Sequence, residues 1–286
     1  MGDPNQLPPV GPGFPFSDML RSGCLPTVRL TEIFRQAQES LIVMNAHRIN
    51  QGEAPELKNV KSDFFFMRRG SESEISNLIR DLCTTRLPRN MGIHPSDIQV
   101  LSPTRKGNVG TASLNKLLQA ALNPPAPDKK EHMYADVCFR EGDRVMQIRN
   151  NYDIMWKKTD GTAVGTGIFN GDVGTILEID LNQETVTVLF DDKTAAYDFT
   201  QLGELEPAFA ITVHKSQGSE YRAVILTAWG GSPYLLTRSV LYTAITRAKE
   251  LLIIVVREET VLAMTANAQK NKRYTGLKLR LQGRAE

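Results

Sequence analysis

The chain has no long apolar run and few cysteines. Nowhere do about 18 apolar residues occur in succession, as a membrane-spanning helix requires, and the amino end has no basic start followed by an apolar core. Cys24, Cys83 and Cys138 lie far apart, with no CxxC pair and no histidine cluster nearby. This spacing argues against a zinc knuckle and against a disulfide framework. We therefore expect reduced thiols and a cytoplasmic location.

An excess of charge of one sign is also lacking. The 286 residues include 34 Lys and Arg against 32 Asp and Glu, which gives a formal net charge of +2. This balance creates no overall field that would indicate a polyanionic partner, so any basic site must be local. Hydrophobic residues make up 41% and charged residues 23%, which are ordinary globular values. The chain is therefore expected to fold, as about two domains or as a single large one.

A third absence concerns nucleotide chemistry. The pattern GxxxxGK[ST], whose loop and lysine cradle the β- and γ-phosphates of a nucleotide, does not occur, since the sequence has no Gly-Lys dipeptide. No Asp-Glu dipeptide occurs either. The sequence therefore offers no phosphate-binding loop of this type.

Apolar periodicity predicts two α/β stretches that flank a segment of different character. The predicted elements are helices over 39–51, from Ser71 to before Pro88, over 114–122 and around 240–245, and buried strands over 98–102, 208–213, 224–228 and 251–256. The succession of strand, polar loop and helix indicates an α/β fold.

Between residues 139 and 205 the pattern changes to short alternating strands separated by Gly, Asn or Asp turn signals. The segments DRVMQIRN, DVGTILEID, TVTVLF and TAAYDF follow this pattern, which is typical of a small antiparallel barrel. We therefore predict a first part of an α/β domain at 1–138, an inserted barrel at 139–205 and the remainder of the α/β domain at 206–286. The stretch 123–132, NPPAPDKKEH, is interpreted as a mobile linker.

The amino end is a loop dense in proline and glycine, GDPNQLPPVGPG, with no strand or helix before it. Domains seldom begin in this way. We interpret the chain as the downstream portion of a longer protein, with an ordinary flexible amino terminus as the alternative.

Three segments carry candidate site residues. In GDPNQLPPVGPG, prolines stiffen the loop around Gln6, so its amide is suited to sense a phosphate or orient a water, although such a loop is often only a turn. In LTEIFRQAQ, Arg35 follows an apolar pair that would direct its guanidinium, although a surface ion pair is the alternative. In ITVHKSQGSEY, Gly218 lets backbone N–H groups approach an anion, and LYTAITRAK places Arg247 near the end of a helix.

Together these segments resemble superfamily 1 helicases, and within them the RecD-like group that moves 5′ to 3′ on DNA. GDPNQLPPVGPG is similar to motif III of that family, FRQAQ to motif IV, SPTRKGNVG to the DNA-contacting loop that follows, TVHKSQGSEY to motif V and YTAITRAK to motif VI. The order and spacing agree over essentially the whole chain. The resemblance implies a RecA-like (P-loop NTPase type) second motor domain with an inserted small Src-homology-3-like β-barrel.

The resemblance also implies roles for individual residues. Gln6 matches the glutamine that senses the γ-phosphate, and Arg35 and Arg247 match the arginines that stabilise its charge during transfer. Gly218 and Glu220 match positions near the phosphate and the ribose. The positions that face single-stranded DNA, with contacts mainly to phosphate and sugar, are matched by Thr104, Arg105, Lys106, Thr212, His214, Lys215 and Ser216. For His214, a capped strand end is the alternative.

In such helicases ATP and Mg²⁺ lie between two RecA-like domains. The implied partners are therefore single-stranded DNA, an amino-terminal RecA-like domain and, for some relatives, subunits of a nuclease complex. Because the P-loop and the acidic Mg²⁺-binding motif are missing, the chain alone is expected neither to hydrolyse ATP nor to bind ATP and Mg²⁺ tightly, and no metal site is predicted in it.

The sequence thus predicts the carboxy-terminal motor half of an ATP-dependent DNA helicase. A free-standing, non-catalytic module that binds single-stranded DNA is the alternative. A structural or partner-binding fragment without a nucleic-acid role is a third possibility.

Overall fold

A computed structural model of the chain describes residues 2–9, 11–30, 39–59, 63–269, 273 and 275–283. The described residues form α-helices and β-strands that alternate at both ends of the chain, with a long run of strands between them. The helices are α1 (Pro15–Ser22), α2 (Leu41–Gln51), α3 (Glu72–Asp81), α4 (Leu87–Met91), α5 (Thr111–Leu122), α6 (Arg238–Ile245), α7 (Glu258–Ala266) and α8 (Leu277–Leu281). The strands are β1 (Phe64–Arg68), β2 (Ile98–Ser102), β3 (Glu131–Tyr134), β4 (Val137–Arg140), β5 (Arg144–Gln147), β6 (Asn151–Lys158), β7 (Val164–Ile168), β8 (Val173–Asp180), β9 (Thr185–Phe190), β10 (Lys193–Asp198), β11 (Leu205–Pro207), β12 (Ala210–Thr212), β13 (Tyr221–Thr227) and β14 (Ala248–Val256).

The chain divides into two compact units, one made of Met1–Ile75 and Ser216–Glu286, the other of Ser76–Lys215. In the first unit, β14 lies between β1 and β13, and all three strands are parallel. Strand β13 is buried from Ala223 onward and β14 from Leu251 onward, as expected for central parallel strands covered on both faces, whereas in β1 only Phe64 is buried. Helix α2 packs against α6, and α6 packs against α7.

Local sequence signals set the ends of the helices in this unit. Helix α2 begins at Ser40, whose hydroxyl accepts a hydrogen bond from the Val43 N–H (3.3 Å), and ends at Gly52, which adopts a left-handed conformation. Helix α6 begins in the same way, because the Thr237 hydroxyl accepts from the Val240 N–H (3.4 Å). Helix α2 packs on β14, and helix α6 packs on β13 and β14.

The second unit combines a parallel pair of strands with an antiparallel sheet. Strand β2 pairs with β12, and helix α5 packs on β12. The antiparallel sheet has seven strands in the order β11-β5-β8-β9-β10-β6-β7, and side chains from all seven contribute to one buried cluster around Tyr197. Because one sheet encloses a single core, this part of the chain is barrel-like.

The structure confirms the predicted α/β elements and the β-rich segment. Strand β2 has the predicted bounds, and α2, α5, α6, β12, β13 and β14 lie within about two residues of the predicted ones or extend them. None of the helices in the described part of the chain reaches the length and apolarity that a bilayer crossing needs. The three-part division at residues 138/139 and 205/206 stays a prediction.

Two local predictions are wrong. The second helix does not stop before Pro88: a π-helical turn at Leu82–Arg86 follows α3, and Pro88 lies in the first turn of α4, where its missing N–H is not needed. The stretch 123–132 is not a free linker. Asn123 is buried and donates to the Asp143 carboxylate (2.8 Å), and the last two residues of the stretch pair with β4.

The buried thiol of Cys83 gives a test of the fold. Burial raises the pKa of Cys83 to about 12, whereas Cys24 is exposed. Because only the thiolate reacts, iodoacetamide at about pH 8 should modify Cys24 in the folded protein and reach Cys83 only after denaturation. Mass spectrometry of the peptides measures this, and rapid labelling of Cys83 under native conditions would contradict the packing described for the π-helical turn.

Candidate functional site

The loop that carries Gln6 is held on both sides of this residue by hydrogen bonds within the first unit. The Leu7 N–H donates to the Thr243 hydroxyl (2.9 Å), and the Leu7 carbonyl accepts from the Gln217 side-chain amide (2.6 Å). On the other side of Gln6, the Asp3 carboxylate accepts from the Tyr242 hydroxyl (2.7 Å). The half-buried Gln6 amide itself makes no hydrogen bond with the described residues.

The Tyr242 contact depends on a hydroxyl that stays protonated. Burial, together with the hydrogen bond to the nearby Asp3 carboxylate, raises the pKa of Tyr242. The hydroxyl is therefore a donor throughout the physiological pH range, and Asp3, as a carboxylate, is a matched acceptor. This contact fixes the start of the loop against helix α6.

Arg247 lies just after helix α6 and is only 5% exposed. Its Nη1 donates to the Ser219 carbonyl (2.9 Å), and its Nε donates to the Thr243 carbonyl (3.2 Å). Thr243 therefore contacts both predicted nucleotide-site segments: its hydroxyl binds the loop of Gln6 and its carbonyl binds the guanidinium of Arg247. The Gln6 loop, the 216–220 turn and Arg247 form one hydrogen-bonded network.

The 216–220 turn leaves its backbone open at Gly218. This glycine has a φ of +85°, and a Cβ added there would meet no atom within 4 Å. The backbone is accessible to an incoming anion at this point, and a larger residue would be strained. Glu220 is exposed and forms an ion pair with Lys249 (3.5 Å), so its carboxylate is not part of the network around Arg247.

Arg35 lies outside the described residues, and its role stays a prediction. The other predicted nucleotide-site residues, Gln6, Gly218, Glu220 and Arg247, all lie in the first unit. Because Arg247 is buried and already donates to two protein carbonyls, its contact with a phosphate of ATP stays a prediction, as does that of the open backbone at Gly218. No cluster of three or more His, Cys, Asp or Glu side chains that could hold a metal ion occurs in the part of the chain that the structure describes.

The predicted DNA-contacting residues lie mainly in the second unit. Thr104, Arg105 and Lys106 belong to the loop between β2 and α5. Two helical N–H groups fix this loop, because Thr111 donates to the Thr104 carbonyl (3.0 Å) and Ala112 donates to the Arg105 carbonyl (3.1 Å). The side chains of Arg105 and Lys106 are exposed, whereas Thr104 is buried. The loop therefore presents two cations on a rigid base.

The second segment that is predicted to face DNA is the turn after β12. The Lys215 N–H donates to the Thr212 carbonyl (2.9 Å), which closes the turn around the half-buried His214. Ser216, the first residue of the second segment of the first unit, is completely buried. The predicted contacts of these residues with DNA stay predictions.

One carboxylate joins the two segments that are predicted to face DNA. Glu206 in β11 binds Lys215 Nζ (2.5 Å) and Arg105 Nη2 (3.1 Å). The structure therefore brings Arg105 and Lys215 together, although the sequence gives no sign of it.

Sequence reasoning missed three residues that organise these sites. Gln217 and Thr243 lie inside the segments that the motifs singled out, so their polar side chains were an available signal. Glu206 had no local signal, because Arg105 is distant in the chain and Lys215, nine residues away, reaches Glu206 only through the turn after β12.

The bond from Leu7 to Thr243 gives a second test. Thr243→Val keeps the shape of the side chain but removes the acceptor, which should cost about 0.5–1.5 kcal/mol and speed hydrogen exchange of the Leu7 amide by about 2- to 10-fold. Thr243→Ser, which keeps the hydroxyl, should leave exchange near the wild-type rate. Mass spectrometry of the amino-terminal peptide measures this, and unchanged protection in Thr243→Val would exclude the bond.

Comparison with protein families gives matches along the chain. A model described as the ATP-dependent RecD-like DNA helicase SH3 domain matches residues 114–190, and one described as the UvrD-like helicase C-terminal domain matches residues 207–255. A model described as an AAA domain matches residues 1–65. The antiparallel sheet and the parallel strands are thus an inserted Src-homology-3-like barrel and a RecA-like α/β domain, which confirms the predicted fold class.

Two relatives illustrate the similarity in sequence. The ATP-dependent RecD2 DNA helicase of Deinococcus radiodurans is 32% identical over 257 residues, which cover 87% of this chain and 31% of that protein. The RecBCD enzyme subunit RecD of Mycobacterium tuberculosis is 36% identical over 120 residues, which cover 41% of this chain and 20% of that protein. The chain spans about a third or less of the length of these relatives.

Among solved structures, the crystal structure of Bacteroides Pif1 bound to ssDNA is 15% identical, with a TM-score of 0.44 over 82% of this chain and 53% of that chain. Pif1 helicase from Candida albicans is 14% identical, with a TM-score of 0.44 over 80% of this chain and 56% of that chain. The sequence and family-model matches place the chain with the RecD-like superfamily 1 helicases, to whose carboxy-terminal part it corresponds.

Proposed function

We propose that this chain is the carboxy-terminal motor half of an ATP-dependent helicase that moves 5′ to 3′ on DNA. The observation that carries the proposal is the position of Thr243, which binds both the loop of Gln6 and the guanidinium of Arg247. Two groups that respond to the same γ-phosphate must be held in a fixed relation, and one helix residue does this here. The direction of movement follows from the family resemblance.

In this function, the first unit completes an ATP site whose P-loop and Mg²⁺ ligands come from an amino-terminal RecA-like domain. ATP bound with Mg²⁺ supplies the phosphoryl group whose transfer to water drives movement. Gln6 senses the γ-phosphate, and Arg35 and Arg247 stabilise the charge that develops on it. Gly218 and Glu220 lie near the phosphate and the ribose of the bound ATP. Alone, the chain is not expected to hydrolyse ATP.

The second unit binds single-stranded DNA through the sugar-phosphate backbone of the DNA. Arg105, Lys106 and Lys215 supply positive charge for phosphates, and Thr104, Thr212 and His214 complete the predicted contact set of this unit. Ser216, the remaining residue predicted to contact DNA, belongs to the first unit. Because phosphate contacts carry no sequence information, binding should be independent of base sequence and should weaken with salt. Subunits of a nuclease complex are further proposed partners, since some similar proteins are RecBCD subunits by name.

The test is ATP hydrolysis by a reconstituted motor. The chain is mixed with, or fused to, a RecA-like domain that carries a P-loop, and ATP turnover is measured with and without oligo(dT). We expect no turnover by the chain alone and DNA-stimulated turnover by the combination. A combination that folds and binds DNA but shows no stimulated turnover would contradict the proposal.

The second candidate is a free-standing, non-catalytic module that binds single-stranded DNA. One observation favours it: the predicted DNA-contacting residues up to Lys215 lie in a single compact unit, Ser76–Lys215. This candidate predicts that the chain binds oligo(dT) equally well with and without the P-loop domain and nucleotide. The motor predicts that nucleotide changes the affinity of the combination.

A further inference from the structure

Two of the predicted DNA-contacting cations are already bound to an anion of the protein. The Glu206 carboxylate accepts from Lys215 Nζ at 2.5 Å through Oε2, and Oε1 lies 3.1 Å from Arg105 Nη2. The side chain of Glu206 is 26% exposed, that of Lys215 is 31% exposed and that of Arg105 is 69% exposed. The pairs are therefore open to solvent on one side, where a ligand has access to them.

The backbone of Glu206 is held rigidly. Strand β11 pairs with β5, with Glu206 opposite Met146, and the Ala208 N–H donates to the Arg144 carbonyl (2.8 Å). The buried Asn115 side chain donates to the Pro207 carbonyl (3.0 Å) and to the Ala210 carbonyl (2.8 Å). The backbone at Glu206 is thus fixed, and the long side chains of Arg105 and Lys215 reach toward it.

We propose that Glu206 marks a phosphate site, and that single-stranded DNA binds there by exchanging a backbone phosphate for the Glu206 carboxylate. A carboxylate and a phosphodiester each carry one negative charge and oxygens that accept from Arg and Lys. Both cations can serve the phosphate only if they release the carboxylate, which then lies near a like charge. This inference rests on the proposed function and adds that the Glu206 carboxylate lowers the affinity for DNA.

Competition between the Glu206 carboxylate and the DNA phosphate determines whether removal of Glu206 strengthens or weakens DNA binding. Each exposed ion pair lost on binding lowers DNA affinity modestly, and salt screens both the ion pairs and the repulsion between carboxylate and phosphate. Removing the carboxylate should therefore strengthen binding at low salt, and the gain should shrink as salt rises. If Glu206 instead only pre-organised the two cations, its removal would weaken binding.

The experiment measures fluorescence anisotropy of labelled oligo(dT) with the whole 286-residue chain at about 50 to 200 mM salt. Glu206→Gln keeps the size of the side chain, and Glu206→Ala is the second variant, each checked for an unchanged melting temperature. Glu250→Gln is the matched control, because it also removes one acidic charge from an ion pair, that with Arg222 (2.8 Å), in the other unit.

We expect Glu206→Gln to bind about five- to tenfold more tightly than the wild type at the lowest salt, with a steeper salt dependence, while Glu250→Gln stays within about twofold. Lys215→Gln should also cost more affinity in the Glu206→Gln background than in the wild type. In the wild type, the lost phosphate contact is partly offset because the ion pair between Lys215 and Glu206 no longer has to break on binding, and in the Glu206→Gln background this offset is absent.

The outcomes separate the two proposals. If the wild type binds oligo(dT) but Glu206→Gln binds equally or more weakly, the exchange at Glu206 is wrong while the DNA grip stands. If neither protein binds even at the lowest salt, the DNA grip itself is wrong and the exchange falls with it. If Glu250→Gln gains as much as Glu206→Gln, the effect is one of net charge and the exchange is again wrong.

Discussion

Arg247→Ala should reduce DNA-stimulated ATP hydrolysis of the reconstituted motor by about 10³-fold or more, the range for the loss of an arginine that stabilises a transferring phosphoryl group. Affinity for oligo(dT) in the absence of nucleotide should stay within about twofold, because the predicted DNA-contacting cations lie in the other unit. Steady-state ATPase assays and anisotropy titrations on the same preparation measure both quantities.

A control is needed because Arg247 is buried and donates to two carbonyls. Arg247→Lys keeps the charge but loses the planar fork, so it should fold and still lose most activity. Arg222→Ala removes an exposed arginine of the same unit and should leave turnover near the wild-type value. Wild-type turnover in Arg247→Ala would mean that this guanidinium does not act on the phosphate.

Gly110→Ala should weaken binding of oligo(dT) by about tenfold or more. A Cβ at Gly110 would lie 2.4 Å from the Lys106 carbonyl oxygen and 2.6 Å from the Arg105 carbonyl oxygen, both backbone atoms. The loop must open to admit it, which disturbs the bonds from Thr111 and Ala112 that fix the loop. The loop would then no longer hold the exposed side chains of Arg105 and Lys106 in a fixed position.

The matched control is Gly70→Ala. The atom nearest to a Cβ at Gly70 is a carboxylate oxygen of Glu74 at 3.8 Å, so this substitution should change neither folding nor binding. Circular dichroism and melting curves establish that Gly110→Ala still folds, and anisotropy gives its affinity. Wild-type affinity in a folded Gly110→Ala protein would exclude the loop of Arg105 and Lys106 from the DNA contact.

Sequence patterns predicted the elements whose signals are local. The apolar run at 98–102 gave strand β2 with its observed bounds, and the alternation after residue 139 gave the antiparallel sheet. Strand β1 was not predicted, because its Phe-rich run is short and its role depends on pairing with the distant β14. The stretch 123–132 resembled a linker because of its prolines, while the burial of Asn123 depends on contacts with Glu141 and Asp143.

In the candidate site, too, some features could be predicted from local sequence and others follow only from the fold. Motifs identified the segments of Gln6, Gly218 and Arg247, and the contacts of Thr243 and Gln217 that join them follow only from the fold. The pairing of Arg105 and Lys215 on Glu206 could not be read from the sequence. It requires the loop after β2, the turn after β12 and strand β11 to meet at one point, and each of them alone is an ordinary polar segment.

The most direct test of the account is hydrogen exchange of the reconstituted motor, measured with oligo(dT) alone and with a non-hydrolysable ATP analogue alone. Oligo(dT) should protect the segments around Arg105 and Lys215, and the analogue should protect the loop of Gln6 and the turn at Gly218. No protection around Arg105 when DNA is bound, or no protection of the Gln6 loop when the analogue is bound, would contradict the assignment of DNA and nucleotide to these segments.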